Sequence, residues 1–204
     1  NPPDVDVSMF DYDTAKRGRG NNYPPYGLGV LATHLRNAGY EVTICDLNHE
    51  ILKTIFLTEE RIDYDQTWKS ILKRDIEAFS PDLIGITCLF SVTGKSLQFV
   101  CQEIRSITTA RIAVGGVHLT HDHENILKET EIDYAFLNES EMALLKFLEV
   151  MNGKGEVKDL AQLVIKKQAV RFSQKIQPTG CDLDIIPAFD LMDVENHSLY
   201  GTIG

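Results

Sequence analysis

Apolar positions along the chain fall into alternating helical and strand-like periods. Leu28, Leu31, Ala32 and Leu35 recur at three- and four-residue spacing and predict a helix, with Gly39 placed for a left-handed cap at its end. Pro24 and Pro25 stiffen the approach, and Gly27 and Gly29 let backbone or a ligand come close at the helix N-terminus. Residues 41–45 read as a strand. The segment 48–80 reads as helical: Trp68, Ile71, Leu72, Ile76 and Phe79 form a packing stripe, and Pro81 ends it. Residues 82–88 are a near-continuous apolar run, the pattern of a parallel strand covered on both faces. A rim loop, Ser91-Val92-Thr93-Gly94, leads into a helix over 95–106. A strand at 111–114 ends in Gly115-Gly116 and is followed by a short helix over 122–129. A strand at 133–137 then precedes an amphipathic helix at Glu141–Met151.

This alternation predicts an α/β fold with a mainly parallel sheet built from right-handed crossovers. A further, central strand is expected immediately before Asn1, with residues 5–10 as the alternative. Residues 161–166 and 169–173 read as a β-hairpin with a Lys-Gln turn, an appendage spanning 152–177. Residues 178–204 show little periodicity and read as an extended linker.

Composition narrows the function. A chain of 204 residues buries one main core with a small appendage. Its net charge of -10 argues against a nucleic-acid partner, which needs clustered Lys and Arg. The one basic cluster, Lys16-Arg17-Gly18-Arg19, reads as a solvated or ligand-gating loop. The four cysteines (45, 88, 101 and 181) lack metal-ligand spacing and read as reduced thiols of a cytoplasmic protein. No apolar run reaches the roughly 18 residues that span a bilayer, and no signal peptide is evident. Asn1-Pro2-Pro3 reads like the end of a strand, so the chain is expected to be a piece of a longer polypeptide.

Candidate chemistry gathers at the carboxyl ends of the strands, the functional rim of such sheets. Asp46, Asn48, Ser91, Thr93, Gly94, Gly115, Gly116, His118, Thr120, Asn138, Glu139 and Ser140 all fall there. Glycines admit a large planar ligand, hydroxyls hold amide or phosphate groups, and helix N-termini attract phosphate. No catalytic triad, phosphate-binding loop or dinucleotide fingerprint is present. His118, His121 and His123 with Asp122 and Glu124 would suit a metal shell, though the acids equally suit a first helical turn. Glu139 and Glu141 read as helix-capping acids rather than a catalytic pair.

Taken together, these landmarks resemble the cobalamin-binding domain that precedes the radical S-adenosylmethionine (SAM) domain in a large class of bacterial enzymes. The resemblance is carried by Asn1-Pro2-Pro3, by Pro24-Pro25-Tyr26-Gly27-Leu28-Gly29, and by Asn37-Ala38-Gly39-Tyr40-Glu41-Val42. It continues through Asp46-Leu47-Asn48, Pro81-Asp82-Leu83-Ile84-Gly85-Ile86-Thr87, Val114-Gly115-Gly116-Val117-His118 and Leu183-Asp184-Ile185-Ile186-Pro187. It implies a flavodoxin-like (Rossmann-like) three-layer fold with cobalamin on the rim. The implied contacts are Tyr26, Gly27 and Leu28; Ser91, Val92 and Thr93; Gly115, Gly116 and His118; and Asn138 and Glu139. No catalytic residue and no metal ligand is implied within the chain. With no DxHxxG motif, no histidine is placed as the lower cobalt ligand. SAM and a [4Fe-4S] cluster would belong to a downstream radical domain, which is also the implied partner. One departure is Asn138-Glu139-Ser140 where the family carries a Gly-Glu motif. The alternatives are therefore a degenerate domain serving only domain or partner contacts, and a metal-dependent hydrolase using His118, His121 and His123. A receiver-like signalling module is a further rival, disfavoured because Asp46 ends the wrong strand.

Overall fold

Alternate residues of the central strands bury on opposite faces, and this fixes a three-layer arrangement. The computed structural model describes residues 1–168, 170–176 and 184–203. The sheet order is β1 (Leu83–Thr87), β2 (Arg111–Gly115), β3 (Tyr134–Phe136), β4 (Leu163–Ile165) and β5 (Val170–Phe172). β1, β2 and β3 run parallel, and the expected hairpin forms as β4–β5 and adds antiparallel to β3. Ile86, Ile112, Val114 and Ala135 bury with α3 (Leu47–Leu57), α4 (Tyr64–Phe79), α5 (Gly94–Ile107) and α6 (Val117–Glu129). Ala113, Tyr134 and Phe136 bury on the other face with α2 (Tyr26–Asn37) and α7 (Glu141–Met151). The architecture matches the α/β expectation. Among the described residues no helix is long and apolar enough to cross a membrane.

The helix limits follow local chemistry. Gly39 adopts φ +87 after α2, the left-handed turn that its lack of Cβ permits. Ser80 ends α4 at φ 51, just before Pro81. Asp133 ties the floor of the sheet: its Oδ2 accepts from Arg105 Nη2 at 2.6 Å and from the Ile112 N–H at 2.9 Å.

Five expectations are corrected. Residues 41–46 are extended but join no strand of the sheet. Asn1 alone lies alongside them: its N donates to Cys45 O at 2.8 Å and its carbonyl accepts from Leu47 N–H at 3.1 Å, the two bonds of a parallel ladder. Residues 5–10 form a turn, not a strand, because Ser8 N–H and Oγ both bond the Asp6 carboxylate and Met9 N–H bonds Asp6 O. The helix expected at 122–129 starts earlier, directly after Gly116, and is kinked at Asp122. The basic cluster is solvated only in part: Arg17 and Arg19 are exposed, but Lys16 is not. Lys16 ends α1 (Tyr12–Lys16), and its ammonium caps α3 by donating to the carbonyls of Ile55, Phe56 and Thr58.

The fifth correction concerns the C-terminal stretch, of which residues 177–183 and Gly204 lie outside the described residues. Residues 184–203 do not trail away as a linker. They carry a turn at Phe189–Leu191 and a helix, α8 (Val194–Tyr200), and they strap across α2 and α3. Met192 and Pro187 press on Gly29, where a Cβ would come within 2.5 Å of Met192. Ala188 N–H bonds Gly29 O at 3.0 Å, and Thr202 and Asn22 pair through their backbones. Buried Met192, His197 and Tyr200 anchor the strap, too few apolar positions to show a period.

Candidate functional site

Three strand ends and the helices that follow them build the rim. Ser91-Val92-Thr93 form a single tight turn between β1 and α5. Gly115 ends β2, Gly116 sits at the N-cap of α6, and His118 lies in its first turn. Asn138 and Glu139 form the exposed loop between β3 and α7. Backbone bonds stitch the first two loops: Cys88 N–H donates to Gly115 O at 2.8 Å and His118 N–H to Cys88 O at 3.1 Å. The third is tied through Thr120, whose hydroxyl donates to Gly116 O at 3.1 Å and accepts from Asn138 N–H at 2.9 Å. Thr120 belongs to the rim set read from the sequence, but its part in joining two loops was legible only in space.

Gly116 makes the stitching possible. It adopts φ +114, and a Cβ there would lie 2.5 Å from Cys88 O. Asn138 adopts φ 61. It takes the left-handed conformation where the resembling family has glycine, and Asn tolerates that conformation. Asn138 and Glu139 are both exposed.

Thr93 is buried and its hydroxyl donates to Phe90 O at 2.7 Å, so it holds the turn rather than facing a ligand. Tyr26, Gly27 and Leu28 occupy the first turn of α2. Among the described residues no hydrogen bond joins them to the other three loops, and Tyr26 packs edge-on against Phe189 of the strap, 6.1 Å between centroids.

Two features extend what the sequence predicts of the rim, which is Val92 among the contacts and helix N-termini in general. Leu89, Phe90, Val92 and Val117 expose large apolar surface, with Phe90 and Val117 at 59% and 60%. A run of such residues just past a strand end is the sequence signal that would have found them. The N-cap side chains of α2, α5, α6 and α7 (Pro25, Thr93, Gly116 and Ser140) make no capping hydrogen bond to the helix they precede, whereas Asp11, Asp46 and Asp63 cap α1, α3 and α4. Helix N-termini left uncapped present free N–H donors and partial positive charge to an acceptor-rich ligand.

The alternatives fare less well. Among the described residues no group of three or more His, Cys, Asp or Glu is placed to hold a metal ion, so His118, His121 and His123 do not converge. Cys45, Cys88 and Cys101 are free thiols; burial pushes Cys45 and Cys101 up to about 12, which leaves them unreactive. Cys181 lies outside the described residues.

One acid at the rim is out of its ordinary range. Burial, with the neighbouring Asp46 charge, pushes Asp4 up to about 6. A carboxyl raised from its unfolded value of 3.8 contributes most when protonated, and stability falls as pH rises through the folded value. Asp4→Asn is therefore expected to stabilise the fold at pH 8 by about 2 kcal/mol and to change little at pH 3.5, read by urea unfolding at the two pH values.

The B12 binding domain family matches residues 14–148, more than half of the chain. Cytidylyl-2-hydroxyethylphosphonate methyltransferase of Streptomyces wedmorensis is 29% identical over 63% of this chain and 25% of its own length. Anaerobic magnesium-protoporphyrin IX monomethyl ester cyclase of Synechocystis sp. is 23% identical over 87% of this chain and 34% of its own. Among solved structures, the radical S-adenosylmethionine methyltransferase TsrM from Kitasatospora setae, with cobalamin and a [4Fe-4S] cluster bound, superposes with a TM-score of 0.56 at 22% identity. That match covers 70% of this chain and 26% of that one, and it shows the shared fold. A second TsrM structure, with tryptophan and a SAM analogue, gives 0.58 over 73% and 27%. The chain thus spans only about a quarter to a third of these relatives. With its family matched over the α/β layers that build the rim, the chain belongs to the B12-binding domain family.

Proposed function

We propose that this chain holds cobalamin on the rim formed by Tyr26, Gly27 and Leu28, by Ser91 and Val92, by Gly115, Gly116 and His118, and by Asn138 and Glu139. Thr93 and Thr120 hold the loops in shape. The observation that carries the reading is the coincidence, on one rim, of uncapped helix N-termini with exposed apolar side chains and a glycine that brings two loops together. Phe90, Val92 and Val117 suit the apolar body of a corrin, and the N-terminal turns of α6 and α7 suit its amide and phosphate acceptors. When bound, cobalamin supplies cobalt-centred group transfer. The residues of this chain bind it, orient it and keep water from its protein-facing side.

By similarity to the relatives, the whole protein is a radical SAM enzyme that uses cobalamin for methyl transfer or another radical reaction, with SAM and a [4Fe-4S] cluster in a domain downstream of this one. Residues 1–151, with the strap of 184–203 packed on them, are then the cobalamin domain and 152–177 the hairpin, in a cytoplasmic enzyme. The parallel bonding of Asn1 beside residues 41–46 supports a strand formed by residues preceding it. Asn138 keeps the left-handed turn that a glycine would give, which weakens the motive for the degenerate reading.

Val117→Asp separates binding from folding. Val117 is the first residue of α6, where an acid favours the helix dipole, and its side chain is exposed. Thermal stability is expected to stay the same or rise, while hydroxocobalamin affinity falls at least tenfold in a spectral titration. Unchanged affinity would remove this rim from the proposed site.

A further inference from the structure

The strap meets the rim through two stacked, buried histidines that the cofactor reading does not use. His49 of α3 and His197 of α8 are each 1% exposed, with ring centroids 4.0 Å apart and planes 21° from parallel. Their partners fix where the protons sit. Asn22 Nδ2 lies 2.8 Å from His197 O, so this atom must be the donor of the amide, and its other hydrogen faces His49 Nδ1 at 3.1 Å. His49 Nδ1 therefore accepts, and its single proton is on Nε2, 3.3 Å from Asp193 Oδ2. His197 is different. Its Nδ1 faces the Asp193 carbonyl at 2.9 Å and must donate, while its Nε2 faces Asp46 Oδ2 at 3.3 Å. Asp46 accepts from Asn1 Nδ2 and His49 N–H on its other oxygen, as a carboxylate does. Both nitrogens of His197 thus carry protons, and the pair holds one imidazolium stacked on one neutral imidazole.

We propose that this pair is a one-proton clamp by which the C-terminal strap positions the rim loop that starts at Asn1. Asp46 is the shared jaw: it takes His197 from the strap, Asn1 from the loop and the N-terminus of α3. Asn48 continues the grip by accepting from Asp4 N–H at 3.2 Å and donating to Asn21 O at 2.9 Å. The clamp does not depend on the cofactor.

The surrounding charges set its pH dependence. Burial alone would lower His197, but the bonds to Asp46 and to the Asp193 carbonyl, with both carboxylate charges, raise it above the ordinary value. Burial and the His197 charge lower His49 against the pull of Asp193 and Asp46. Asp193 is otherwise engaged by Asn196 and by Lys53 at 3.1 Å, with Glu50 3.8 Å from Lys53 and Tyr200 under its ammonium. The Asp46 charge also raises Asp4. From α4, Arg74 and Asp75 line the cavity of about 170 Å³ beside the pair and neutralise each other at 2.7 Å. The raised His197 contributes below its unfolded value and is lost as pH rises through its folded one. The lowered His49 contributes above its unfolded value and is lost as pH falls. The clamp is tightest near the ordinary histidine value of about 6.5 and loosens on both sides.

Two measurements on the chain test this. Proton NMR of the histidine Cε1–H signals should give one midpoint above and one below the ordinary value, assigned through His197→Gln and His49→Gln. Hydrogen exchange, corrected for intrinsic rates, should show α8 and residues 1–6 best protected near pH 6.5 and at least threefold less so at pH 5 and pH 8.5. His197→Gln should flatten the alkaline limb and His49→Gln the acid limb. Two ordinary midpoints, a flat protection profile in the wild type, or limbs that survive both substitutions would overturn the clamp.

Discussion

Gly116→Ala is expected to cost about 3 kcal/mol or more of stability and to abolish cobalamin binding. The residue sits at φ +114, a region that L side chains rarely adopt, and the added methyl would meet Cys88 O at 2.5 Å and Cys88 C at 2.8 Å. These are backbone atoms of the neighbouring loop and cannot swing aside as a side chain would. Relief requires the turn after β1 to move away from α6, which breaks the bonds from Cys88 N–H to Gly115 O and from His118 N–H to Cys88 O. The same two bonds bring the Ser91 and His118 loops together, so fold and site fail at one point. Circular dichroism with urea unfolding reads the first loss, and a cobalamin titration of the fraction still folded reads the second. A variant as stable as the wild type would mean that the two loops are not held as the structure has them.

Asp133→Ala is expected to cost about 3 kcal/mol, because it strips a buried charge pair of one partner. Arg105 donates to Asp133 Oδ2 and to the carbonyls of Ala110 and Glu131, so the guanidinium would remain half buried with its charge uncompensated. The Ile112 N–H at the centre of the sheet would lose its acceptor as well. Burial works to raise Asp133, but the Ile112 and Arg105 hydrogen bonds and the Arg105 charge outweigh it and hold the carboxyl below its ordinary range. A lowered carboxylate contributes above its unfolded value, and that contribution is lost as pH falls through the folded one. The wild type and the variant should accordingly differ most at pH 7 and converge toward pH 2, measured by urea unfolding at several pH values. Asp133→Asn, which keeps an acceptor for Ile112, should cost clearly less than Ala.

Much of this architecture was legible before any coordinates, for a physical reason. β2 and β3 are covered on both faces and β1 in part, so their sequences are nearly unbroken apolar runs, and Pro81, Gly39 and Gly116 punctuate them where the backbone requires it. Residues 41–46 show why strand reading can mislead. Val42 and Ile44 do give an extended backbone, but pairing depends on a neighbour that a local pattern does not report. The strap was missed for the opposite reason: α8 is only one turn or two long and is anchored by polar contacts of His197 and Asn22 across the whole chain. At the site, the glycines and hydroxyls at strand ends announced the rim, whereas its apolar floor, its uncapped helices and the bridging role of Thr120 emerged only in space.

The most direct test of the cobalamin assignment is to load the folded wild-type chain with hydroxocobalamin, desalt it and record the visible spectrum. Retention of about one equivalent of corrin, lost in Val117→Asp while that variant stays folded, is the expected result. A folded chain that emerges from the column without corrin absorbance would contradict the assignment.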